Sequence, residues 1–84
     1  MNKDDKKRLI YRANYRGFKE ADIMLGGFLK ANIDTLSDAE LDAFEILLSA
    51  KDHDIYDWIT EKQPVPKQYD EELLAKIRQF RPKF

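Results

Sequence analysis

Arg16-Gly17-Phe18-Lys19-Glu20 gathers two opposite charges, a glycine and an aromatic ring into five residues. The chemistry these residues suit is recognition rather than bond making. An arginine offers a planar fork of donors, a glycine lets a second backbone come close, and a glutamate supplies an acceptor beside both. Tyr11, Arg12 and Tyr15 lie just upstream and extend the patch with residue types enriched at binding hot spots. A plainer reading uses the same residues. Arg16 and Glu20 answer helix dipoles, Gly17 ends a helix, and Phe18 packs. The residues alone leave both readings open.

A second cluster, Asp52-His53-Asp54 with Asp57, places four oxygen or nitrogen ligands in six residues. Such a set could hold a metal, but Asp52 is equally placed as a helix N-cap with Asp54 in the first turn. His53 is the only histidine, so a zinc site built on several histidines is excluded. No metal site is assigned. The chain has no cysteine, no glycine-rich phosphate loop after a strand, and no serine set beside His53. No catalytic residue is therefore assigned, and the chain is read as a non-enzyme. Tyr56, Trp58 and Tyr69 are read as core and rim. Their acidic surroundings repel phosphate and argue against stacking on nucleic-acid bases.

The balance of charge points the same way. The net charge of −1 hides seven Lys/Arg against three Asp/Glu in residues 1–20, and one Lys against eight Asp/Glu in residues 31–60. A bipolar surface suits steering toward a protein partner. No apolar run approaches the roughly 20 residues that cross a bilayer, and the start of the chain lacks the apolar core of a leader. The expectation is a cytoplasmic protein without membrane insertion. Eighty-four residues without cysteine favour one domain, stabilised by helix packing and by five Phe, four Tyr and one Trp.

The elements that must position the pentapeptide are helical throughout. The first helix is expected from about Lys3 to Tyr15, with Leu9, Ile10 and Ala13 inward and Arg16 in its last turn. Gly17 follows as a left-handed terminator. The second starts around Phe18 and buries Ala21, Leu25, Phe28 and Leu29. Gly26-Gly27 marks a kink, a close helix contact or an early end at Leu25. Ser37-Asp38-Ala39-Glu40 is a capping box, with Leu36 and Leu41 placed as a hydrophobic staple. The third helix continues through Phe44, Leu47 and Leu48 to about Ala50-Lys51. A fourth begins at an Asp52 N-cap, buries Ile55, Trp58 and Ile59, and is stopped by Pro64 and Pro66. A fifth runs from about Asp70 to Phe80, with Leu73, Leu74, Ile77 and Phe80 inward, and ends before Pro82. The fold class is all-α: a compact bundle of five short helices in one domain over 1–84, ordered about 4–80 and frayed over 81–84.

The arrangement Arg-Gly-x-x-Glu between two helices, with Asp22 two residues on, resembles the signature of the succinate dehydrogenase flavinylation factors. The resemblance continues through Leu36-Ser37-Asp38-Ala39-Glu40, Phe44-Glu45-Ile46-Leu47-Leu48 and Asp52-His53-Asp54-Ile55-Tyr56-Asp57-Trp58, and covers roughly Asp5 to Phe80. Gly26-Gly27 is not part of that pattern. The resemblance implies a five-helix bundle that binds the flavoprotein subunit of succinate dehydrogenase, and sometimes of fumarate reductase. It implies that binding promotes covalent attachment of FAD to a histidine of that subunit. Arg16, Gly17 and Glu20 are then partner-contacting positions, joined by Tyr11, Arg12, Tyr15 and Asp22. The bond forms on the partner, so this chain is expected to hold no FAD stably and to act as a monomer. Related sequences have also been described as antitoxins, which implies as the alternative a regulatory module acting on a membrane or cytoskeletal partner.

Overall fold

The computed structural model describes residues 2–80. Five helices account for the secondary structure of that span: α1 (Lys3–Asn14), α2 (Lys19–Asn32), α3 (Asp38–Leu47), α4 (Asp52–Ile59) and α5 (Glu71–Phe80). The apolar stripes read from the sequence converge on one cluster. Leu9 and Ala13 of α1 meet Leu25, Phe28 and Leu29 of α2, Leu41 and Phe44 of α3, Ile55 and Ile59 of α4, and Leu73, Leu74 and Ile77 of α5. α2 is the central element, packing along α1 and touching α4 and α5. No polar or charged residue is fully buried among the described residues, so apolar burial carries the core.

Local chemistry explains where the helices start. At α3, the Ser37 Oγ accepts from the Glu40 N–H and the Glu40 Oε1 accepts from the Ser37 N–H, both at 3.1 Å. α1 begins with a second capping box that the sequence reading did not name: Asn2 Oδ1 accepts from the Asp5 N–H at 2.8 Å, and Asp5 accepts from the Asn2 N–H. Asp70 precedes α5 and accepts from the Leu73 N–H at 3.2 Å.

Helix ends differ more from expectation. α1 stops at Asn14, so Arg16 lies beyond the helix rather than in its last turn. α3 stops at Leu47, short of Ala50-Lys51. Lys51, not Asp52, is the N-cap of α4, and Asp52 is its first helical residue. Pro64 and Pro66 do not stop α4. It ends at Ile59, where Glu61 turns left-handed at φ 63° and the Lys62 N–H donates to the Asp57 carbonyl at 2.8 Å. Pro82 and the expected fraying of 81–84 lie outside the described residues.

α2 runs unbroken through Gly26-Gly27. The early end and the kink give way to close packing. A Cβ on Gly26 would sit 2.1 Å from the Asn14 Oδ1, and one on Gly27 would sit 3.3 Å from the Phe80 ring. The bare backbone of α2 is thus where α1 and α5 press closest.

Candidate functional site

Tyr15 to Phe18 joins α1 to α2 in four residues, and every one of them is held differently. Gly17 has φ +89°, the left-handed conformation that glycine takes at no steric cost. The carboxylate of Asp22, one turn into α2, folds back under the connection. It accepts from the Arg16 N–H at 3.0 Å and from the Gly17 N–H at 3.3 Å. Asp22 therefore shapes the turn from within.

The Arg16 side chain turns inward and is only 13% exposed. The guanidinium donates through Nη1 to the Leu48 carbonyl at 2.6 Å and through Nη2 to the Ala50 carbonyl at 2.7 Å. Its Nε pairs with the Asp52 carboxylate. All three acceptors belong to the corner between α3 and α4. The cause is electrostatic. The end of α3 leaves carbonyls without helical partners, a cation is favoured there, and Asp52 supplies the counter-charge. Arg16 thus clamps two corners of the bundle together.

Phe18, two residues on, is seated on the same corner. Its ring stacks near-parallel on Tyr56, centroids 5.2 Å apart, and meets His53 edge-on at 5.0 Å. His53 and Tyr56 were not singled out as supports of the pentapeptide, and their sequence distance from it offers no local signal. Asp52 is the first helical residue of α4 and not its N-cap. No group of three or more His, Cys, Asp or Glu among the described residues is placed to hold a metal. Trp58 is buried, and Tyr69 packs on it at 4.8 Å, so these rings are engaged within the fold.

What remains outward is a coherent face. A Cβ on Gly17 would meet nothing within 4 Å. Glu20 is exposed, with no ion pair among the described residues. A shallow hollow of about 460 Å³, lined by Asn14, Gly17, Lys19, Asp22 and Ile23, opens beside the glycine. Tyr11 and Tyr15 are 66% and 71% exposed, and their rings lie 4.6 Å apart. Two adjoining aromatic rings left in water are the kind of surface a partner covers. Arg12 leans the other way, toward Glu45 of α3 at 3.6 Å. The basic and acidic halves of the sequence thus meet in part across the cleft between α1 and α3, lined by Arg8, Arg12, Asp42 and Glu45. Among the described residues no helix is long and apolar enough to cross a membrane.

Comparison with known proteins places this arrangement. The family described as flavinator of succinate dehydrogenase matches residues 7–81. The FAD assembly factor SdhE of Acetobacter pasteurianus is 38% identical over 72 residues, covering 86% of this chain and 66% of that protein. The mitochondrial succinate dehydrogenase assembly factor 2 of Dictyostelium discoideum is 36% identical over 73 residues, covering 87% of this chain and 52% of that protein. Its counterpart in Candida glabrata is 39% identical over 82 residues, covering 90% and 54%. The chain thus spans about half to two thirds of the length of these curated relatives. No solved structure matches. Since the match takes in α2 to α5 and most of α1, with the Arg16–Glu20 turn inside it, the chain belongs to the family of flavinators of succinate dehydrogenase.

Proposed function

We propose that this protein is an assembly factor that docks on the flavoprotein subunit of succinate dehydrogenase, or of fumarate reductase, and promotes covalent attachment of FAD to it. The observation that carries this reading is the turn at Gly17: backbone open to solvent, flanked by the exposed Glu20 and the adjoining rings of Tyr11 and Tyr15, and braced from beneath. Gly17, Glu20, Tyr11 and Tyr15 are the proposed contacts, with Arg12 at the rim. Arg16 and Asp22 act by holding the turn.

The mechanism is a shift of population. A factor that binds one conformer of its partner more tightly raises the fraction from which the flavin bond forms. The bond and the FAD belong to the partner, so this chain binds no cofactor stably and is not an enzyme. It works as a cytoplasmic monomer, without nucleic acid or membrane insertion. No observation favours the antitoxin-like alternative.

The test is in-gel flavin fluorescence of the flavoprotein subunit with and without this protein, using Gly17→Arg and Gly17→Ala. The alanine has room, and only its left-handed backbone costs about 1–2 kcal/mol. The arginine adds bulk to the docking face. Gly17→Arg should lose capture of the flavoprotein and flavinylation while its helical circular dichroism stays intact. Gly17→Ala should retain most of both. Full capture by Gly17→Arg would refute the reading.

A further inference from the structure

The first turn of α4 has so far served only as scaffold, yet it bears on the docking turn at two points. Asp52 holds Arg16, and His53 with Tyr56 holds Phe18. Gly17 lies between these two inward anchors and is the residue lifted clear, with nothing within 4 Å of its missing Cβ. Pinning both neighbours of a residue to one platform forces the residue between them outward. The connection has no helical hydrogen-bond ladder of its own to do this.

Of the three acceptors that Arg16 uses, two are main-chain carbonyls, which any side chains at positions 48 and 50 would leave in place. Asp52 is the one acceptor that depends on a side chain, and the only one bearing charge. A guanidinium 13% exposed needs a counter-charge to remain so. Without it, the three-methylene stem of arginine lets the head group swing to water.

We infer that Asp52 is a positioning residue for docking: its carboxylate keeps Arg16 turned inward and thereby holds the Gly17 backbone in the form that meets the flavoprotein. This rests on the docking role proposed above. Asp52 itself lies beneath the turn, 26% exposed, and makes no claim on the partner. The turn, held locally by the Asp22 carboxylate, is thus also held by a residue 36 positions away in the chain.

The experiment uses the full chain as wild type, Asp52→Ala, Asp52→Asn and Asp54→Ala. Asp54 is an exposed acid of the same helical turn and controls for charge alone. Amide exchange of the free protein is followed by NMR, then affinity for the purified flavoprotein subunit is measured. Asp52→Ala should speed exchange at the Arg16 and Gly17 amides by about tenfold or more and weaken docking by about tenfold. The amides of α2 and α5 should keep their protection. Asp52→Asn, which retains an acceptor oxygen for Nε, should recover part of both effects, and Asp54→Ala should match wild type. Unchanged exchange at Gly17 overturns the inference. Equal loss of protection across α2 and α5 also overturns it, because the role would then be stability alone. So does wild-type affinity in Asp52→Ala. A wild-type chain that captures no flavoprotein sinks the docking role and this inference with it, and that outcome is distinct from wild-type capture left untouched by Asp52→Ala.

Discussion

Arg16 and Arg78 both send a guanidinium into main-chain carbonyls where a helix ends. Arg78, on α5, donates through Nε and Nη2 to the single carbonyl of Trp58, at 3.0 and 2.7 Å, near the end of α4. Arg16 divides its donors among Leu48, Ala50 and Asp52 at the α3–α4 corner. The bonds are of one kind, a cation meeting the negative end of a helix. The difference lies in what each arginine is attached to. Arg78 sits in a helix whose backbone ladder fixes its path in any case, so its bonds only brace α4 against α5. Arg16 sits in a connection with no ladder, so its bonds decide where the connection lies. Similar chemistry is structural in one place and sets a surface in the other.

Alanine at each position is the sharpest way to break this contrast. Arg16→Ala strips the counter-charge from a half-buried carboxylate and the donors from two carbonyls. It should cost about 3 kcal/mol in urea unfolding, and docking should fail even where the variant is fully folded. Arg78→Ala removes two donors from a carbonyl that keeps the Glu61 N–H, and should cost about 1 kcal/mol, with docking intact. Arg16→Lys, which keeps the charge but cannot address three acceptors at once, should recover less than half of the lost stability. Equal losses of docking at the two sites would erase the distinction.

The Arg16 corner has a support that the Arg78 corner lacks: the close crossing of α1 and α2 behind the turn. The side chain of Asn14, whose Nδ2 donates to the Ile10 carbonyl at 2.9 Å, lies against the bare backbone of Gly26. Gly26→Ala should drive α1 off α2 and cost about 1–3 kcal/mol. Asn14→Ala in the same chain should restore the thermal midpoint, since alanine is favoured over glycine in a helix by about 1 kcal/mol. Gly27→Ala, facing the Phe80 ring edge at 3.3 Å, should cost less than Gly26→Ala. A double variant no more stable than Gly26→Ala alone would show that the contact with Asn14 is not what the glycine is for.

These contacts also mark how far the sequence can be read. Helix faces and the Ser37–Glu40 cap are written in spacings of three and four residues, and they are legible because their partners are local. The box of Asn2 and Asp5 has the same spacing, but acids in a first turn answer the helix dipole equally well, so spacing alone does not single it out. The left-handed Gly17 follows from its place after an amphipathic run. The direction of Arg16 does not follow from spacing, because the groups that decide it lie 32 to 36 residues away in the chain. A cation near a helix end reads identically whether it faces water or another corner. Its burial depends on a packing of α1 and α2 over the α3–α4 corner that no single stretch encodes.

The exposed pair Glu40–Lys76, which links the start of α3 to α5, completes the comparison as an ion pair of the same sequence separation left in water. Lys76, first, and then the Ser37 N–H hold the Glu40 carboxyl below its ordinary range, while hydrogen bonding to Glu40 raises Lys76. A depressed carboxyl contributes stability above its unfolded pKa and loses it as pH falls through the folded one. A raised ammonium contributes below its unfolded pKa and loses it as pH rises through the folded one. The contribution should therefore hold between about pH 4 and about pH 10 and fade outside that window. Solvent and salt screen such a pair, so Lys76→Met should shift the urea midpoint only slightly at pH 7, less than either arginine variant. The difference from wild type should close below about pH 4, and half-molar salt should shrink it. Asp52→Ala, whose carboxylate pairs with a guanidinium only 13% exposed against 53% for Lys76, should respond less to salt. A larger salt response there than at Lys76 would mean that the Arg16 clamp is as open to water as the pair on α5.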